Sequence, residues 1–204
     1  MTSGSAYANA LGAQFENLHP ALQRYFAPLP PGHVGIGHGT FTSVGTPKKW
    51  LWPAIYLLQR RSIIWSGWQQ DVPFRILNRQ VGTSRTGQRE FLLPDGSWTM
   101  HDTVSSGPDS SVIDILGRPA LLAARFSVST QDGGLRMTST HVGLRLGHRT
   151  FTLPSWLSPT VSLTEEFDEP FELQRVSVVI TAPLIGRIYE YGGTFTYQVQ
   201  QEPN

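Results

Sequence analysis

From residue 62 onward, apolar and polar residues alternate with the period of two expected for strands with one buried face. The pattern runs through "SIIWSGWQQ" (62–70), "VPFRILNRQ" (72–80), "REFLL" (89–93) and "SWTMHD" (97–102). It continues through "SSVIDILG" (110–117), "ALLAARFSVST" (120–130), "GLRMTSTHV" (134–142) and "GLRLGHRTFTLP" (143–154). "TVSLTEEF" (160–167), "FELQRVSVVITA" (171–182) and "GRIYEYGGTFTYQV" (186–199) complete it. Turn signals separate the runs: Pro94-Asp95-Gly96, Gln131 to Gly134, Gly147-His148 and Asp168-Glu169-Pro170. Such short connections favour antiparallel neighbours. About ten strands of this kind curl into a barrel, a cone or two packed sheets.

Before residue 33 the period changes. Tyr7, Leu11, Phe15 and Leu18 recur at helical spacing, and Pro20 opens a second helix with Leu22, Tyr25 and Phe26 on one side. "PLPPG" (28–32) ends it. In "HVGIGHGTFTSV" (33–44), Gly35, Gly37 and Gly39 fall on one strand face, leaving a flat strip, with Val34, Ile36, His38 and Val44 opposite. The spacing and context are wrong for a dinucleotide fingerprint. "TPKKWLWPAIYLLQRR" (46–61) predicts a short, largely buried apolar helix with basic ends; a lid or a lipid-touching surface is its minority reading. The expected organisation is a single mainly β domain, 1–204. It has a helical segment over 1–30 and an antiparallel barrel or cone over 33–200, with a helical insertion at 47–60.

Composition narrows the function classes. The chain has 204 residues, no Cys, 16 basic and 15 acidic residues, and only 15% charged residues. That balance argues against a nucleic-acid partner. Without thiols there is neither a disulfide nor a thiolate metal site, which fits a cytoplasmic setting. No leader-like start is visible, and no apolar run approaches the ~20 residues of a spanning helix. No Gly-x-Ser-x-Gly elbow, His-Glu-x-x-His or P-loop occurs. His19, His33, His38, His101, His141 and His148 are scattered without ligand spacing. No cofactor or metal is expected.

Five pieces stand in a recognisable order: "LHPALQRYF" (18–26), "VPFRILNR" (72–79), "DGGLRM" (132–137), "LRLGHRTFTLPSWLSP" (144–159) and "PLIGRIYEYGGTF" (183–195). Together they resemble the bacterial domain family catalogued as DUF 4166, over nearly the whole chain. Members of that family occur alone or behind oxidoreductase-like domains. The resemblance implies no activity and carries over no catalytic residue.

Several strands place one polar group on an otherwise apolar face. Asp102 shares a face with Trp98 and Met100, and Glu165 with Val161, Leu163 and Phe167. Glu190 follows Ile188, Asn78 follows Ile76, Arg175 follows Leu173, and His38 follows Ile36. An unpaired charge in a solid core costs several kcal/mol or neutralises. These groups therefore either pair with one another or border a cavity. Each also has a bland reading: a Glu165–Arg175 cross-strand pair, an Asx turn at Asp102, a rim histidine at 38, and an exposed Glu190 if Tyr189 and Tyr191 point inward.

The expectation is an internal apolar cavity binding a hydrophobic small molecule, with cofactor-independent cyclase or isomerase chemistry of a polyketide- or terpenoid-like substrate. Asp102, Glu165 and Glu190 are the candidate acid–base groups. His38, Trp65, Trp68, Arg75, Asn78, Trp98, Met100, Arg175 and Tyr191 are the candidate substrate contacts. A non-catalytic carrier or sensor of lipid-like ligands and an accessory domain docking on an oxidoreductase stay open. No stable membrane insertion is expected, and a homodimer is left open.

Overall fold

The computed structural model describes residues 4–147, 149–154 and 156–202. His148 and Ser155, and with His148 part of the turn expected at 147–148, lie outside the described residues. The segment 33–45 and the alternating segments from Trp68 onward form eleven antiparallel strands, while residues 62–67, expected within the first alternating run, are an irregular run of turn and bend. They are β1 (His33–Gly45), β2 (Trp68–Val81), β3 (Ser84–Leu93), β4 (Gly96–Ser106), β5 (Val112–Leu116) and β6 (Leu122–Gln131). β7 (Gly134–Leu146), β8 (Arg149–Thr152), β9 (Thr160–Asp168), β10 (Leu173–Ala182) and β11 (Gly186–Gln201) follow. Neighbours run β6-β5-β4-β3-β2-β1-β11-β10-β9-β7, and β7 pairs back with β6. Ten strands thus close a barrel, and β8 hangs on the outside of β7. Closure removes the free edges that an open sheet would leave unpaired.

Both ends are covered. At one end lie α1 (Ala6–Leu11), a 3₁₀ turn (Gly12–Asn17) and α2 (Pro20–Phe26). Leu11, Leu18, Leu22 and Phe26 are buried, and each such side chain contributes about 1.5–3 kcal/mol relative to exposure. Ser5 caps α1 by accepting from the Ala8 N–H at 3.1 Å, and His19 Nδ1 accepts from the Ala21 N–H at 3.2 Å to cap α2. Arg85, inside β3, reaches the far end of α2 and donates to the Tyr25 and Ala27 carbonyls. A cation there meets the orphan acceptors of the helix C-terminus. At the opposite end lies α3 (Trp52–Gln59), preceded by a 3₁₀ turn (Lys49–Leu51). Of α3 only Ile55 is buried, so the expectation of a largely buried helix is corrected. Trp98 Nε1 donates to the Gln59 carbonyl at 3.2 Å and ties α3 to β4.

The glycine strip of β1 faces inward, where a side chain at Gly35 would meet the Tyr197 phenol and one at Gly37 would meet Ile76. A bulge between Phe41 and Ser43 then shifts the alternation, so Phe41 and Val44 are both buried. Phe41 stacks on Phe74 at 3.8 Å between centroids, and Phe91 and Tyr191 meet its ring edge-on. This aromatic group, with Met100, Met137 and Phe195, is the centre of the core.

Candidate functional site in the barrel interior

Asp102 faces inward beside Trp98 and Met100, because the whole alternating face of β4 is the inner one. Its cross-strand partner on β3 is Gly87, where a Cβ would stand 2.7 Å from both carboxylate oxygens. The glycine therefore leaves room for the carboxylate. Two residues along β3 on the same face, Arg89 Nη1 donates to Asp102 Oδ1. The Asp102 side chain is 4% exposed and that of Arg89 22%. Burial acts to lower the Arg89 pKa, but the Asp102 carboxylate, with smaller contributions from Tyr191, Tyr25 and Asp114, holds it above the usual range. Asp114 points inward from β5, opposite Val104 and two residues before the Leu116 that pairs with Asp102. Its Oδ1 is buried without a hydrogen-bond partner. Burial first, and then the Asp102 charge, push its pKa well up.

A second polar group sits on β9 and β10. Glu165 is 4% exposed, and Gln174 Nε2 donates to its Oε1 at 3.3 Å. No cation lies within ion-pair distance of Glu165 among the described residues. Burial raises its pKa to about 8, against which Arg89 and Arg85 act only partly. At neutral pH Glu165 is thus mostly a neutral carboxylic acid, able to donate a proton. Burial likewise raises Tyr7 and Tyr25, and pushes Tyr191 to about 12.

Arg89 and Glu165 line one small interior cavity of about 30 Å³ together with Tyr7, Tyr25, Tyr191 and a set of apolar side chains. That space holds roughly two water molecules. Tyr25 and Phe195 also line an outer groove of about 690 Å³ between α2 and the β10–β11 wall. The two rings are therefore the partition between cavity and groove.

The structure brings part of the expected set together. Asp102, Glu165, Asn78, Trp98, Met100 and Tyr191 lie on inner faces. Asn78 Nδ2 donates to the Tyr197 hydroxyl at 3.3 Å. Trp65 packs on the core at the α3 end, where its backbone N–H donates to the Tyr189 hydroxyl at 3.1 Å. Trp68, also at that end, is half-buried and does not join the core.

Four assignments are corrected. His38 is exposed, because the inner face of β1 before the bulge is the glycine face. Arg75 is on the outer face of β2, 3.8 Å from Glu90. Arg175 is also outside and donates to Asp168 at 2.6 Å, since Gln174 takes the inward position; it does not pair with Glu165. Glu190 is outside too, accepting from Ser43 at 3.4 Å and from Arg187, because Tyr189 and Tyr191 fill the inner positions of β11. The sequence reading passed over Arg85, Arg89, Asp114 and Gln174. Arg89 was visible in principle: it shares strand parity with Phe91 and Leu93.

A family model described as "Domain of unknown function (DUF4166)" matches residues 18–195. An uncharacterized protein of Bacillus subtilis (strain 168), YndH, is 27% identical over 186 residues, covering 87% of this chain and 90% of that protein. No solved structure matches the chain. The matched span takes in α2, the whole inner polar cluster and the closing strand pairs, and on that extent the chain belongs to the DUF4166 family.

Proposed function

We propose that the barrel interior binds a small, largely apolar molecule and that Glu165 acts on it as a general acid–base in an isomerisation or cyclisation. One observation carries this reading: a carboxyl with a pKa near 8 on the wall of a cavity otherwise lined mainly by aromatic and aliphatic side chains. Such a group gives a proton to one substrate atom and takes one back from another, so the net reaction needs no oxidant, reductant or water. Arg89 and the Tyr191 hydroxyl supply polar contacts for an oxygen that gains negative charge. The cavity of about 30 Å³ admits only about two waters, so a ligand enters by displacing the Tyr25–Phe195 partition. α2 carries Tyr25 and is tied to the barrel by polar links that can open: Arg85 to its carbonyls, His19 to Glu169 at 2.7 Å, and the His19 N–H to the Gly133 carbonyl at 2.8 Å.

The small volume is the observation that favours a second reading, an accessory domain with a filled interior. Native mass spectrometry of the purified chain separates the two. The proposal expects a co-purifying apolar compound that is lost when Val176→Phe fills the cavity. Glu165→Gln is expected to keep the compound bound while abolishing its turnover. A bare chain mass, with no uptake of a fluorescent apolar probe, contradicts the proposal. Binding without turnover in the unaltered protein leaves the carrier.

A further inference from the structure

The α3 end of the barrel carries an exposed apolar stripe. Residues 50, 53, 54 and 57 follow helical spacing, and all four, Trp50, Pro53, Ala54 and Leu57, are exposed. Trp50 and Leu57 keep 65% and 66% of their surface, and Tyr56 beside them 51%. A second apolar point stands next to this stripe. Leu184, at the tip of the β10–β11 turn, is wholly exposed, with Ile185 following it. Lys48 Nζ donates to the Ile185 carbonyl at 2.7 Å, which joins the two points into one patch.

Charge frames the patch. Lys48 and Lys49 precede the stripe, and Arg60 and Arg61 follow it. None of the four has a carboxylate within ion-pair distance among the described residues. The strand directions place Arg118, Arg145 and Arg149 at the same end, with Asp71, Asp95 and the Arg187–Glu190 pair as the local acids. The α2 end is richer in acids, Glu16, Asp109, Asp132, Glu166, Glu169 and Glu172, set among Arg24, Arg79, Arg136 and Arg175. The unpaired positive charge therefore gathers at the apolar α3 pole. An isolated acidic protein partner would be met by the charges alone. The protruding Trp50, Leu57 and Leu184 need a medium that accepts aliphatic and indole groups while presenting negative charge around them.

We propose that the α3 end docks the protein peripherally on an anionic lipid surface, with Trp50, Leu57 and Leu184 entering the headgroup–acyl boundary and the surrounding lysines and arginines meeting the headgroups. The test is co-sedimentation of the full chain with phosphatidylcholine vesicles, pure or containing phosphatidylserine at about a third of the lipid, together with tryptophan emission. The proposal expects binding to the anionic vesicles only, a blue shift of the emission that Trp50→Phe removes, and weakening as salt shortens the screening length. Lys48→Glu/Lys49→Glu and Leu57→Asp should each weaken binding by roughly tenfold or more, on the scale of a few surface charges or one buried leucine. Melting temperature should hold for Leu57→Asp, whose side chain is exposed. Phe171→Asp, at the opposite pole and 72% exposed, should bind as the parent does. Absence of binding to anionic vesicles overturns the proposal. So does equal loss in the Phe171 variant, or a dimer in size-exclusion chromatography that Leu57→Asp dissociates, which would assign the patch to a second copy.

Discussion

Asp102 and Glu165 are almost equally withdrawn from water, at 6% and 4% exposure, yet their neighbours differ in kind. Asp102 has a guanidinium on the adjacent strand and a glycine that makes room for it. Glu165 has only an amide. The same barrel thus holds one carboxylate as half of an ion pair and the other as an acid. Burial alone does not decide a carboxyl's state. The partner does. On the first wall Asp102 is held by Arg89 in an ion pair; on the second Glu165 has no cation beside it, and there the proposed chemistry lies.

The comparison breaks most visibly if the ion pair is cut. Asp102→Asn leaves Arg89 charged and unpaired in the interior, and Arg89→Met does the converse to Asp102. Each is expected to destabilise by about 3–5 kcal/mol, while Arg89→Met/Asp102→Leu recovers most of the loss because no orphan charge remains. Urea melts of the three variants check this; additive losses in the double variant would remove the pair from the account.

The second wall sharpens through pH. Glu165 titrates near pH 8 in the folded chain and near the ordinary 4.5 when unfolded. Below about 4.5 both states carry the proton and no penalty arises. Between 4.5 and 8 the unfolded state ionises while the folded state stays neutral, so stability falls as pH rises. Above 8 the penalty is constant. The expected contribution is a few kcal/mol, with a slope approaching about 1.4 kcal/mol per pH unit. The difference between parent and Glu165→Gln in urea melts across pH 5 to 9 isolates it. A difference that does not change with pH would contradict the assignment.

A smaller effect is expected at Gly87. A methyl there stands 2.7 Å from the Asp102 oxygens, so Gly87→Ala should cost about 1–3 kcal/mol by crowding. Thermal unfolding compared with Gly82→Ala, where open space surrounds the glycine but φ is +60°, separates crowding from backbone strain. The smallest changes belong to the outer wall. His38→Ala and Arg175→Ala should stay within about 0.5 kcal/mol, since both side chains are exposed and the Arg175–Asp168 pair is open to water. A loss of several kcal/mol at either would mean that the inner and outer faces have been exchanged.

Much of the fold was legible because strand alternation reports one buried face directly. Trp98, Met100 and Asp102 on one side of "SWTMHDT", and Val161, Leu163 and Glu165 in "TVSLTEEF", stand where their parity put them. Parity failed where the chain departs from a regular strand. The β1 bulge brings Val44 inward after Phe41, which made Val34, Ile36 and His38 look like the inner face. Leu173 opens β10 on the same outer face as Arg175, with Gln174 between them pointing inward, so its apolar character misplaces Arg175. Arg89 escaped because a guanidinium at the start of "REFLL" reads as a solvated strand end. Only the pairing of β3 with β4 shows that it faces Asp102. Which partner a buried charge meets is a property of closure, and closure joins strands far apart in sequence.

The central claim is the protonation state of Glu165, and the direct measurement is a ¹³C NMR titration of glutamate side-chain carboxyls in the labelled protein. The resonance that disappears in Glu165→Gln identifies the residue. The account predicts a midpoint near pH 8; a midpoint in the ordinary carboxylate range would contradict it.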